Sequence, residues 1–391
     1  MSMKYYKILE KIGEGAFSDV YRVRDRVLGT YFAAKKLREE CDNIDDPLLC
    51  SEVNLIKQVP SHPNLLTIVD VMHYGNRLTL IMELMDMSLH DFIRTRKRAL
   101  SENRARRFIF QIISGLDHLH RHGIFHRDIK PENILIKLAQ GVEKKELVQL
   151  GDFGTICRID EQSPRAAYIA TRWYRAPECL LTMGYYGPKM DVWAVGCCFY
   201  EMITRQPLFP GGNEVHMLDL IHGLLGTPSK ALLEKFKHLN VGKLEFRKHC
   251  PEDFRLLLPL LSAYGLDMLK KTLAYHPDQR ISAARLMKHV YFEDVTKHKK
   301  LSKFSLSFQC LDKGFRQSES VSELGVMKGL KDNPKLSTWS RDSIASAHIV
   351  HYFPNEGQSA RNRTLERLWD MNNTVEKRNL CKQIHSQRNR P

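Results

Sequence analysis

Between His126 and Asn133 the chain reads His-Arg-Asp-Ile-Lys-Pro-Glu-Asn. Three of its side chains can share one piece of chemistry. Asp128 is a carboxylate able to orient a hydroxyl group and accept its proton. Lys130 can hold phosphoryl oxygens while their charge redistributes. Asn133 offers an amide oxygen of the hard kind that magnesium prefers. Phosphoryl transfer asks a protein mainly for position and charge stabilisation, so Asp128, Lys130 and Asn133 are candidate catalytic residues. A charged turn can be structurally idle, but this order of carboxylate, lysine and amide makes that the weaker reading. Asp152-Phe153-Gly154 follows the apolar run Leu147–Leu150. Asp152 joins Asn133 as a candidate magnesium ligand, and Gly154 gives a mobile segment its hinge. Asp-Phe-Gly alone is a turn. Placed after the Asp128 loop and before Ala176-Pro177-Glu178, it is diagnostic.

A second group of residues could hold a nucleotide. Ile12 ends an apolar run, and Gly13, Glu14, Gly15, Ala16, Phe17, Ser18, Asp19 and Val20 follow. Glycines there permit a tight hairpin whose N–H groups approach a polyphosphate with no Cβ in the way. Ser18 stands where G-x-G-x-x-G has its third glycine, so the loop alone is a weak signal. Lys35 is suited to neutralise phosphate oxygens. By its distance along the chain, Glu52 is the best-placed carboxylate to fix it. Both could equally be solvated surface residues, a reading that the downstream motifs weaken.

These residues need a framework. Alternating runs at Tyr6–Ile12, Asp19–Arg24, Thr30–Lys35 and Leu78–Met82 read as strands, interrupted by a helix over roughly Pro47–Val59. From Ser88 onward helix spacing takes over: Leu89, Phe92 and Ile93 recur, then Phe108, Ile112, Leu116 and Leu119. The fold class is α+β, with a small β-rich lobe joined to a larger helical one. The expected domain runs 4–294, divided into 4–83 and 86–294, and a basic low-complexity tail fills 295–391. Thr364–Met371 reads as a short helix.

Composition bounds the rest. The chain has 391 residues, 43% hydrophobic and 27% charged, an ordinary globular balance. The most apolar run, Val192–Tyr200, is too short to span a bilayer and is flanked by Asp191 and Glu201. With no apolar signal core near Met1, a soluble intracellular protein is expected. Nine scattered cysteines without a C-x-x-C pair argue for reduced thiols rather than zinc or a disulfide framework. Of the +15 net charge, +9 lies in Val295–Pro391, which has 18 Lys and Arg against 9 Asp and Glu. Such a tail can contact acidic partners, but a solvated flexible segment is the simpler reading. Nucleic-acid binding is disfavoured, since the tail's aromatics are dispersed rather than interleaved with its basic residues.

Taken together, Tyr6 to about Phe292 resembles the eukaryotic protein kinase family. The group is that of cyclin-dependent and mitogen-activated kinases, nearest the branch of MAPK/MAK/MRK-overlapping kinases and their ciliary relatives. The residues carrying this are Ala170-Thr171-Arg172-Trp173-Tyr174-Arg175-Ala176-Pro177-Glu178, the long interval Leu208–Leu269, Glu83–Met87 and Lys189-Met190-Asp191. The resemblance implies a bilobal kinase fold and an ATP- and magnesium-dependent serine/threonine kinase. It implies that Glu83 to Met85, including Met85, hydrogen-bond adenine, with Met82 behind them and Val20, Ala33 and Leu135 sandwiching the base. It further implies a Glu178–Arg280 pair and an Asp191 anchor for the catalytic loop. An arginine at position 172 implies substrates in which proline follows the serine or threonine. A monomer located in the cytoplasm, with cilium or nucleus as further sites, is expected. One departure stands out. Relatives carry Thr-x-Tyr where this chain has Ala166-Ala167-Tyr168, so a single phosphorylation switch at Tyr168 is expected, with Ser163 as the alternative. A catalytically dead scaffold is the rival reading, and the presence of Lys35, Asp128, Asn133 and Asp152 argues against it.

Overall fold

The computed structural model describes residues 5–15, 17–40, 51–73, 77–138, 146–161, 165, 171–236 and 246–297. Its first lobe is a sheet of β1 (Tyr6–Glu14), β2 (Ser18–Asp25), β3 (Tyr31–Glu40), β4 (Ile68–His73) and β5 (Arg77–Glu83). All neighbours are antiparallel, in the order β1-β2-β3-β5-β4. Strand alternation sends Val23, Ala34, Met72 and Ile81 to one buried face, where Tyr6 meets Phe32 edge to face. On the other face α1 (Ser51–Gln58) seats Val53 against Leu78 and Leu80. The expected helix therefore exists from Ser51; residues 47–50 of its expected span lie outside the described residues. Strand β4 was not anticipated, although its Ile-Val-Asp-Val composition carries the β-branched signal of a strand.

The second lobe is helical. It contains α2 (Leu89–Arg94) and α3 (Glu102–Arg121), followed by α4 (Pro177–Leu181), α5 (Lys189–Thr204) and α6 (Glu214–Leu225). Smaller helices follow: α7 (Lys230–Leu233), α8 (Phe254–Leu257), α9 (Ala263–Thr272) and α10 (Ala283–Leu286). Helix α3 turns Phe108, Ile109, Ile112, Leu116 and Leu119 inward, at the expected spacing. Each such side chain contributes roughly 1.5–3 kcal/mol on burial. Helix α5 contains the apolar run Val192–Tyr200 and is covered nearly all round, as a helix apolar on every face must be. No helix among the described residues is long and apolar enough to cross a membrane.

The short strands that carry the chemistry lie where the lobes join. They are β6 (Met87–Ser88), β7 (Ile124–Phe125), β8 (Ile134–Lys137), β9 (Leu147–Leu150) and β10 (Cys157–Arg158). Sheet order is β6-β8-β9, with β7 paired to β10 separately. Asn64 fastens this platform to the strand lobe. Its Nδ2 donates to the Val148 carbonyl at 2.8 Å, and its own carbonyl accepts from the Leu150 N–H at 2.9 Å. Gly115 of α3 lies so close that a Cβ would come within 2.6 Å of that Asn64 oxygen. Cys250 carries a disulfide, against the expectation of reduced thiols throughout, while Cys157, Cys179, Cys197 and Cys198 are free and buried. Apart from 295–297, the basic tail and its expected helix lie outside the described residues.

Candidate active site

The loop from His126 to Asn133 is held from below by one carboxylate. Asp191, in the first turn of α5, accepts the His126 and Arg127 N–H groups, each at 2.8 Å. His120 Nε2 lies 2.9 Å from the same side chain, which is 1% exposed. These bonds hold Arg127 at φ 70°, a left-handed conformation that a non-glycine residue adopts only when its surroundings impose it. Thr155 Oγ1 donates to the His126 carbonyl, and Arg127 Nε donates to the Thr155 carbonyl, tying the loop to the segment after Gly154.

That backbone presents the expected catalytic residues together. Asp128 Oδ2 is 2.8 Å from Lys130 Nζ and accepts from Asn133 Nδ2 at 3.0 Å. Asn133 Nδ2 also donates to the Asp128 carbonyl at 2.9 Å, leaving the amide oxygen as the atom that can serve a metal. Asp128 Oδ1 accepts from the Thr171 N–H at 2.9 Å and the Thr171 hydroxyl at 3.1 Å. Lys130 Nζ donates to the same hydroxyl at 2.8 Å. An alcohol oxygen thus already sits between the carboxylate and the lysine, giving its proton to one and accepting from the other.

Facing this group, Lys35 Nζ on β3 lies 2.7 Å from Asp152 Oδ1. Burial would push the Asp152 carboxyl up. The Lys35 charge and hydrogen bond, helped by His126 and Lys130, win and hold it below the usual carboxylate range. The sequence expectation paired Lys35 with Glu52. That residue is on α1, but its side chain lies outside the described residues.

The expected nucleotide-binding residues surround this pair. In the register, Val20 opposes Lys35 and Ala33 opposes Met82, so Val20, Ala33, Lys35 and Met82 share one face of the sheet. Leu135 is on β8. A Cβ on Gly151 would approach its side chain to 3.0 Å, so the glycine before Asp152 lets Leu135 pack over that turn. Glu83 accepts from Gln149 Nε2 at 3.0 Å and closes β5, and Met85 follows in the connection to β6. Ile12 and Gly13 are on β1, Ser18 and Asp19 on β2, and Phe17 projects at the tip with 84% of its surface exposed. Ala16 lies outside the described residues. Among the described residues, nothing lies closer than 3.5 Å to a Cβ built on Gly13 or Gly15. Glu14 and Asp19 engage Lys11 and Arg38 in a four-charge cluster across the hairpin, which the sequence did not suggest.

The Glu178–Arg280 pair forms below the site with two parallel contacts, 2.7 and 2.9 Å, and both side chains buried. Arg280 also donates to the carbonyls of Ala274, Lys189 and Tyr275 and lies over the Trp193 ring. A further constraint that no motif signalled is Arg165, whose guanidinium donates to the carbonyls of Tyr186, Ile159 and Glu161. Tyr168 and Ser163 lie outside the described residues.

Residues 6–292 match the family model of the protein kinase domain. Among curated proteins, the chain is 41% identical over 300 residues to the human "MAPK/MAK/MRK overlapping kinase", covering 76% of this chain and 70% of that one. The mouse protein of the same name is also 41% identical, over 293 residues, covering 74% of this chain and 68% of its own.

Proposed function

Because the chain belongs to the protein kinase family, in the group of cyclin-dependent and mitogen-activated kinases, we propose an ATP- and magnesium-dependent transfer of phosphate to serine or threonine hydroxyls. The observation that carries this reading is the Thr171 hydroxyl between Asp128 and Lys130. An acceptor hydroxyl placed there gives its proton toward Asp128, while Lys130 balances charge on the oxygens being transferred. The loop cannot drift, because Asp191 holds its backbone.

The donor set suits magnesium. Asp152 and the Asn133 amide offer hard oxygens, and among the described residues no three His, Cys, Asp or Glu side chains form a cage of their own. Asp152 and Asn133 would hold a magnesium ion, whose charge would offset that of nucleotide phosphates. Lys35 keeps Asp152 ionised, and Gly13 and Gly15 leave room for phosphates beside the backbone. Val20, Ala33 and Leu135 supply apolar surface suited to a flat base, with Glu83 and Met85 at its edge. Glu52 is the proposed second partner of Lys35.

The proposed substrate has proline after the acceptor, read from Arg172 in Thr171-Arg172-Trp173-Tyr174. The Arg172 guanidinium donates to the Gly212 carbonyl at 2.6 Å, joining this turn to the segment before α6. Activation is proposed to act through phosphate on Tyr168, with Arg172 and Arg175 as its charge partners. The enzymatic unit is taken as 4–294, with 295–391 serving location or partner choice in the cytoplasm, cilium or nucleus.

Phosphorylation of a degenerate peptide library by the full chain tests this. Serine or threonine acceptors followed by proline are expected; tyrosine acceptors, or indifference to proline, would overturn it. Tyr168→Phe is expected to lower turnover roughly tenfold, the scale of one to two charge-assisted hydrogen bonds. Undiminished activity would remove the switch.

A further inference from the structure

We propose that Arg165 is a built-in positioning residue of the activation segment, bracing it without a phosphorylated threonine. The inference rests on the kinase reading. Arg165 is restrained from several directions. Its backbone N–H donates to the Gly184 carbonyl at 3.0 Å. Nη1 donates to the Tyr186 carbonyl at 2.9 Å, and Nη2 to the carbonyls of Ile159 at 3.1 Å and Glu161 at 2.6 Å. The cation lies 5.4 Å from the centre of the Phe125 ring, on the strand that leads into the catalytic loop.

One planar guanidinium thus joins the start of the segment to the turn after α4, above the root of the loop that bears Asp128. A planar fork with several donors can bridge three carbonyls in a way that a point charge on a flexible stem cannot. The receiving turn is shaped for it. Gly184 has φ +82°, and a Cβ there would lie 2.1 Å from the Arg165 carbonyl oxygen and 2.6 Å from its nitrogen. No side chain fits.

Position 166 is alanine, so it can supply no phosphate to Arg127. The Arg127 guanidinium is already engaged: Nε donates to the Thr155 carbonyl and Nη2 approaches the Ile156 carbonyl. Tyr186 packs edge-on against Phe125 with ring centres 6.4 Å apart. Arg165 holds that tyrosine by its carbonyl, next to the strand that leads into the catalytic loop. The partners of both arginines are backbone carbonyls, neutral acceptors that no phosphatase removes.

The test uses the active full-length protein. Treatment with a serine/threonine-specific phosphatase leaves any phosphate on Tyr168 and is expected to keep turnover within about twofold. A tenfold fall would overturn the proposal. Arg165→Ala is expected to raise peptide KM about tenfold or more, with ATP KM within about twofold, since the brace serves the peptide side of the cleft. Amide exchange in 157–161 and 183–187 should quicken with it. Peptide KM unchanged in Arg165→Ala would overturn the assignment. If that variant does not fold, Arg165→Lys decides: an intermediate KM supports the brace, and a wild-type KM refutes it. A wild-type chain without any turnover would instead defeat the kinase reading, and the exchange rates would still report on the brace.

Discussion

Asp191 and Asp152 carry the same functional group in neighbouring regions of the second lobe, and their surroundings differ in every respect. Asp191 is buried, and its oxygens take two backbone N–H groups and an imidazole. Its bonds go to the backbone of the loop that bears Asp128 and to the His120 ring beside it. Asp152 has 47% of its side chain exposed, at φ 58°, with Lys35 as its ion-pair partner. Its depressed pKa gives a stability contribution present above the unfolded value of ~3.9 and lost as pH falls through the folded value. At neutral pH Asp152 is ionised with an oxygen to offer. The contrast separates the carboxylate that builds the site from the one proposed to work in it, and substitutions should separate them too.

The sharpest separation is expected on the working side. Asp128→Asn keeps the shape and most of the hydrogen bonds but removes the proposed proton acceptor, so turnover should fall ~10²–10⁴-fold. Asp152→Asn should fall by a comparable factor through weakened metal affinity. In both, the thermal midpoint should stay within a few degrees of wild type; a midpoint collapse in either would merge the two classes.

On the building side, Arg280→Ala leaves Glu178 charged and buried, and three carbonyls lose a donor. The expected loss is ~3–5 kcal/mol of stability, measured by denaturant unfolding. Asp191→Asn should cost somewhat less, about 2–3 kcal/mol, because the amide oxygen can keep one backbone bond while its NH₂ faces another donor. If Asp191→Asn slowed turnover with stability unchanged, Asp191 would belong with Asp152.

Glu201 tests the middle ground. It is buried on α5 with the Tyr174 hydroxyl donating at 2.8 Å. Burial pushes its carboxyl up to about 7, with Glu132 adding to the rise and the Tyr174 hydrogen bond opposing it. The folded state then binds this proton more tightly than the unfolded chain does. Stability is accordingly lost as pH rises from ~4.3 toward 7, on the order of 2–3 kcal/mol. Glu201→Gln should flatten that decline, and an unaltered pH profile of unfolding would mean that Glu201 ionises freely. The smallest effect is expected at the tail: a chain cut near Val295 should phosphorylate peptide within about twofold of the full chain. A several-fold rise would indicate that the tail covers the cleft.

The sequence made the working side legible because its parts are local. Asp128, Lys130 and Asn133 lie within six residues of one another, and chemistry fixes their spacing. Asp152-Phe153-Gly154 is likewise contiguous. The building side is non-local: Asp191 meets His126 across 65 residues and Arg280 meets Glu178 across 102. No periodicity encodes such pairs, and only family resemblance suggested them. The Lys35–Asp152 contact spans 117 residues, and nothing in the spacing announces it. Strand β4 was overlooked because Asp70 interrupts its apolar run. Arg165 gave no signal at all, since a lone arginine in a polar loop looks the same whether it is solvated or bonded to three carbonyls.

The four free cysteines among the described residues turn the interior into a chemical stopwatch. Cys157, Cys179, Cys197 and Cys198 are buried, and desolvation raises every one of their thiol pKa values. An alkylating reagent needs both access and thiolate, and the folded protein denies it both. Cys197 and Cys198 sit on α5 beside Trp193, whereas Cys157 is on the short strand β10. Modification of the first two would therefore time the opening of the central helix, and modification of Cys157 the loosening of the segment that Arg165 ties down. Two rates from one unmodified chain would show whether those parts come apart together or in sequence.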